Sequence, residues 1–204
     1  GNESCLLSMN NYLEVMSEIA FSQRFSGEVV TMSWKGDASS VAVSIMDGED
    51  NVRRVRIYSR ENLELQALGR METGADVRNV YEGSCASNAT DNLAWSPNGS
   101  IIAAVQEIGR GAQIIFFEAC GLRHREFKLR DVSSQLDKVT QLQWNSKSDI
   151  LAVSIERTEN GEENSEVIKS TRVQLWHRDN YHWYLKYELR FPCQIVKIDF
   201  DIEK

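Results

Sequence analysis

Three stretches decide the fold: Val29 to Ile45 (VVTMSWKGDASSVAVSI), Thr90 to Gln106 (TDNLAWSPNGSIIAAVQ) and Val139 to Ile155 (VTQLQWNSKSDILAVSI). Aligned on tryptophan they match without a gap. A Met or Leu stands two residues before each Trp, giving Met32–Trp34, Leu93–Trp95 and Leu142–Trp144. A polar, turn-forming run follows, and then a short apolar strand containing Ala: Val41-Ala42-Val43, Ile102-Ala103-Ala104 and Leu151-Ala152-Val153. Two short apolar strands joined by Gly-, Asn-, Ser- and Asp-rich connectors read as a β-hairpin. Three such hairpins in one register point to a structural repeat.

Outward from each hairpin lies a second strand pair. Its first strand ends in Ile57-Tyr58, Phe116-Phe117 or Leu175-Trp176, and its second covers Leu63 to Leu68, Leu122 to Leu129 or Trp183 to Leu189. Alternation supports strands. Arg54, Arg56 and Tyr58 fall on one face of the pleat, Val55 and Ile57 on the other. Four strands per unit is the pattern of a propeller blade, so the chain is predicted to be all-β, a WD-repeat-like β-propeller fragment of three blades.

The predicted units are 28–70, 90–131 and 138–191, with a connection at 71–89 and an acidic loop at 156–166 (ERTENGEENSE). Residues 194–204 are expected to open a fourth blade, with Phe200 in place of the Trp. Residues 1–27 are expected to supply the outer strand of a preceding one. Propellers close with four to eight blades, so an open arc is expected to be a fragment or to associate with a second copy through its blade edges.

The chain has 204 residues, is 42% hydrophobic and carries a net charge of −7, unlike a dedicated nucleic-acid-binding domain. No apolar run is long enough to span a membrane. The N-terminus lacks the basic and apolar regions of a secretory signal, and because it starts with Gly it reads as an internal boundary. Cys5, Cys85, Cys120 and Cys193 are scattered, which fits a reducing compartment better than a disulfide framework. The cytoplasm is the expected location, with the nucleus second.

Full Gly-His and Trp-Asp repeat signatures are missing. More specific is Val173 to Lys186 (VQLWHRDNYHWYLK). Together with Ser33-Trp34-Lys35-Gly36-Asp37, Ala94 to Ala103 (AWSPNGSIIA) and Ile114 to His124 (IIFFEACGLRH), this run resembles the first propeller of the largest subunit of the Elongator complex, the IKAP family. The likeness covers about residues 29–200. It implies a scaffold in a complex that modifies wobble uridines of tRNA, with the chemistry in another subunit and the other Elongator subunits as partners. No cofactor is implied for this chain. The alternatives are a ligand-binding or hydrolase propeller and a generic WD-repeat interaction domain.

Trp34, Trp95 and Trp144 are expected in the core. Tyr181, Trp183 and Tyr184 belong to a run of four aromatics that cannot all face one side of a ribbon, and are candidates for partner contact. Two basic groups, Arg53, Arg54 and Arg56, and then Arg123, Arg125 and Lys128, read first as solvated strand faces and second as contacts to the tRNA backbone. His124, His177 and His182 lack the spacing and nearby cysteines of a zinc site. No nucleophile elbow, phosphate loop or dinucleotide fingerprint is present, so no catalytic residue is assigned.

Overall fold

The computed structural model describes residues 4–21, 31–47, 52–69, 93–108, 110–133, 135–160, 167–180 and 182–201. Among these described residues, fourteen strands build three four-stranded antiparallel sheets and one hairpin. The hairpin pairs β1 (Ser4–Met9) with β2 (Val15–Phe21). The first blade is β3 (Thr31–Trp34), β4 (Ser40–Asp47), β5 (Val52–Ser59) and β6 (Leu65–Leu68). The second is β7 (Leu93–Trp95), β8 (Ile101–Ile108), β9 (Gly111–Glu118) and β10 (Arg123–Lys128). The third is β11 (Asp137–Trp144), β12 (Ile150–Asn160), β13 (Val167–Asp179) and β14 (His182–Phe191).

The repeat is visible atom by atom in the turns. Lys35, Ser96 and Asn145 each donate a backbone N–H across the first hairpin, to the carbonyls of Ser40, Ile101 and Ile150. Ala38, Gly99 and Ser148 occupy the matching left-handed position, with φ of 55°, 72° and 61°. Leu63, Gly121 and Asn180 do the same in the turn between the third and fourth strands. Each fourth strand also carries one extra residue against the third, a β-bulge at the same level in all three blades.

The second sheet buries both faces, one on each neighbouring sheet. Ala42, Val55 and Ile57 of the first blade meet Trp95, Ile102, Ile115 and Phe117 of the second. The opposite face of the second blade, with Ala103, Ile114 and Phe116, meets Trp144, Leu151, Val153 and Trp176 of the third. Strand alternation thus explains the Phe116-Phe117 doublet: each ring is 1% exposed, and the two serve opposite interfaces.

Backbone fits against backbone between the blades as well. A Cβ on Gly36 would lie 2.2 Å from the Pro97 carbonyl oxygen, and one on Gly121 would lie 2.2 Å from that of Leu68.

Four expectations need correction. Residues 1–27 contribute two strands rather than one, and the left-handed Leu13 in their turn marks them as a third and fourth strand. Residues 156–160 of the predicted acidic loop belong to β12, paired with β13 as far as Asn160–Val167. Glu156 is held there by Lys169 at 3.1 Å, and Arg157 by Asp137 and Glu159. Residues 195–200 form no strand, because no ladder partner lies beside them among the described residues. They run along the third blade instead, where Gln141 bonds the backbone of Ile198 in both directions, at 2.7 and 2.8 Å.

The fourth correction is Trp34, which is 52% exposed whereas Trp95 and Trp144 are 5% and 4% exposed. Each Trp packs on the blade before its own, and among the described residues Trp34 has the two-stranded β1–β2 hairpin there. It faces a cleft of about 390 Å³ shared with Leu6, Met9 and Leu63.

Residues 71–89 lie outside the described residues.

Candidate partner interface

The aromatic run divides as strand alternation demands. Trp183, on β14, turns into the contact between the second and third blades. It stacks on Phe116 at 5.0 Å with the planes 10° apart, and approaches Phe127 at 5.3 Å and Trp144 at 5.7 Å. Such stacking contributes about 0.5–1.5 kcal/mol per pair beyond area burial, so Trp183 packs between the blades, half-buried, with its remaining surface in the cleft beside β10. Tyr184 faces the other way, 45% exposed, beside His177 with a ring separation of 6.2 Å. Tyr187 and Leu189 are exposed too, so the outer strand presents an aromatic and aliphatic surface. Tyr181 lies outside the described residues.

The two basic groups are not equivalent. Arg54 and Arg56 are half-buried, on the face of β5 whose Tyr58 packs with Leu6 and Ile19 of the hairpin. They are engaged in the protein and do not form a solvated face. The side chain of Arg53 lies outside the described residues. On β10, Arg125 and Lys128 are exposed. Arg123 is drawn inward, where its Nη2 donates to Glu126 at 3.0 Å. Residues 123–127 and His182 and Trp183 enclose a cleft of about 590 Å³ between the outer strands of two blades. The structure therefore brings Arg123 and Arg125 of the second basic group beside His182 and Trp183 of the aromatic run, while Lys128 does not line that cleft. Strand spacing within one blade gave no sign of it, because the juxtaposition depends on how blades pack.

A polar network fixes the root of the third blade. The Asp137 carboxylate is fully buried. It meets Arg172 at 3.1 Å and Arg157 at 3.3 Å and accepts the Ser133 N–H at 2.8 Å. Arg172 and Gln174 donate to the backbone carbonyls of Asp131 and Arg130, tying β13 to the connection from the second blade. Burial pushes the Glu188 carboxyl up, but hydrogen bonds from Arg190 and Gln174 outweigh it and hold the group below its ordinary value. Sequence reasoning missed Asp137, whose charge is met by arginines of two later strands, and Arg172 and Gln174, whose backbone partners lie 41 and 44 residues earlier in the chain. Among the described residues no group of three His, Cys, Asp or Glu side chains is arranged to hold a metal ion.

Repeated four-stranded sheets packed face to face, each presenting its fourth strand as an outer edge, define a β-propeller protein. The β-propeller domain of the Trilobed protease from Pyrococcus furiosus shares this fold. It superposes with a TM-score of 0.52 at 12% identity, covering 91% of this chain and 49% of that one. The family model described as the ELP1 first N-terminal beta-propeller matches residues 10–203, and the chain belongs to that family. Elongator complex protein 1 of Rattus norvegicus is 35% identical over 174 residues, 83% of this chain and 12% of the relative. Elongator complex protein 1 of Saccharomyces cerevisiae is 35% identical over 190 residues, 86% of this chain and 12% of that protein. The chain thus spans about an eighth of the length of these relatives.

Proposed function

We propose that this propeller is a non-catalytic scaffold in the Elongator complex. It holds other subunits while one of them carries out the modification of tRNA wobble uridines. The observation that carries the reading is the family match across residues 10–203. Relatives named Elongator complex protein 1 in animals and fungi support it. The proposed setting is the cytoplasm, with the nucleus second, in keeping with the exposed free thiols of Cys5, Cys120 and Cys193.

Affinity purification of the tagged full-length protein tests the assignment. Recovery of the other Elongator subunits supports it and their absence overturns it. Within the chain, Tyr184→Ala is expected to weaken that recovery while leaving the fold intact. The open faces of the first and third blades are proposed to self-associate when the chain is isolated. Light scattering behind size-exclusion chromatography checks this, and a monomer at every concentration would refute it.

A further inference from the structure

We infer that the carboxamide of Gln141 is a register pin, a single side chain that stands in for a neighbouring strand and sets where the chain runs on past the third blade; this holds whether or not the scaffold reading does. Residues 195–200 have no ladder partner among the described residues, yet backbone N–H and C=O groups need one. A carboxamide offers an acceptor oxygen beside N–H donors, so it can engage both polar groups of one residue. Gln141, 6% exposed, does this to Ile198: its Nε2 donates to the Ile198 carbonyl at 2.7 Å and its Oε1 accepts the Ile198 N–H at 2.8 Å. Lesser ties flank the pin. Thr171 Oγ1 accepts the Ile195 N–H at 2.9 Å, and Gln143 Nε2 donates to the Asp199 carboxylate, which also accepts the Phe200 N–H.

The other two seams between inner strands are closed in the same manner, side chain to backbone. Ser33, one residue before Trp34, accepts the Trp95 N–H on its Oγ at 2.8 Å. The Trp144 indole donates to the carbonyl of Ala94, one residue before Trp95. Gln141 stands three residues before Trp144, and its counterpart in the first blade is Thr31. Thr31 is 3% exposed and its hydroxyl has no partner among the described residues. The two-point bond is therefore a property of glutamine at this position and not of the repeat as such. Packing is the rival account of what seats the segment, since Ile198 and Phe200 close over a cleft of about 170 Å³ lined by Ala152, Val173, Leu175 and Leu189.

Amide hydrogen exchange on the whole chain, read by nuclear magnetic resonance and corrected for intrinsic rates, separates the two. Gln141→Leu keeps the volume and removes both bonds, and is expected to speed exchange at position 198 about ten-fold, within the net worth of two hydrogen bonds. Ile198→Ala keeps the backbone bonds and removes the packing, and is expected to have the smaller effect at that position. The amides of Val153 and Leu175, inside the ladder, should exchange at the wild-type rate in both variants. Should Gln141→Leu unfold the blade, Gln141→Asn takes its place with the same expected loss, because its carboxamide falls one carbon short of Ile198. Ser33→Ala is expected to speed exchange of the Trp95 amide about five-fold, as loss of one bond allows. Unchanged exchange at position 198 without the Gln141 carboxamide overturns the inference, as does a larger effect from Ile198→Ala.

Discussion

Truncating the three repeat tryptophans one at a time should give unequal losses of stability, although the sequence presents them as equivalents. Trp144 is 4% exposed, and its indole Nε1–H donates to the Ala94 carbonyl of the preceding blade at 3.1 Å. Buried aromatic-to-Ala changes cost about 3–5 kcal/mol, and the deserted Ala94 carbonyl adds about 1 kcal/mol. Trp95 is equally buried, and its indole bonds the Gly99 carbonyl at 3.2 Å. Trp34 is 52% exposed. Scaling the burial contribution by its covered half gives roughly 1.5–2.5 kcal/mol.

The expected order is therefore Trp144→Ala and Trp95→Ala together, with Trp34→Ala milder by about 2 kcal/mol on the same reasoning. Urea titration of each variant at one temperature, followed by circular dichroism, measures it. Trp144→Phe isolates the hydrogen bond and is expected to fall between wild type and Trp144→Ala. A Trp34→Ala loss equal to that of Trp144→Ala would refute the rule that each Trp is buried by the blade before its own.

Three further outcomes follow from the packing. Arg172→Met leaves the fully buried Asp137 with Arg157 as its one remaining cation among the described residues and should cost about 3–5 kcal/mol in urea titration; adding Asp137→Asn should recover part of the loss, because the under-compensated charge is then gone. Gly121→Ala sets a Cβ against the Leu68 carbonyl at φ 81° and should lower stability by about 1–3 kcal/mol, whereas Gly99→Ala meets the flexible end of Lys35 and should lower it less. The Glu188 carboxyl is held below its ordinary value of 4.5, so the stability it adds is fully present above that pH and is lost as pH falls through the folded-state value; Glu188→Gln should flatten the acid limb of a melting-temperature profile below about pH 4.5.

What the chain alone disclosed was whatever repeats locally. The Trp register, the turn residues from Lys35 to Ser39 and from Ser96 to Ser100, and the β5 alternation are properties of one blade, and each blade forms them again. What stayed hidden belongs to the spaces between blades. Nothing in the order Tyr-His-Trp-Tyr says that Trp183 turns toward Phe116 while Tyr184 turns outward, because the choice is made by the neighbouring sheet. The same holds for Arg54 and Arg56, which alternate like solvated residues yet lie on a face that packs against another hairpin. The acidic composition of 156–160 suggested a loop. Pairing with β13, anchored by Asp137, made it strand.

The contacts of Gly36 with Pro97 and of Gly121 with Leu68, and the bond from the Asn98 N–H to Ser148 Oγ, sort the connections of this protein by their tolerance of added length. The tight turns at one end of the blades act as spacers between neighbours, and a single inserted residue there would wedge two sheets apart. The paired ends of β12 and β13 reach further than their counterparts. Those strands run to 11 and 13 residues, against 8 in each of the corresponding strands of the other two blades. Extra length has already been taken up there within the ladder of a single sheet, away from the contacts that set the spacing of the blades.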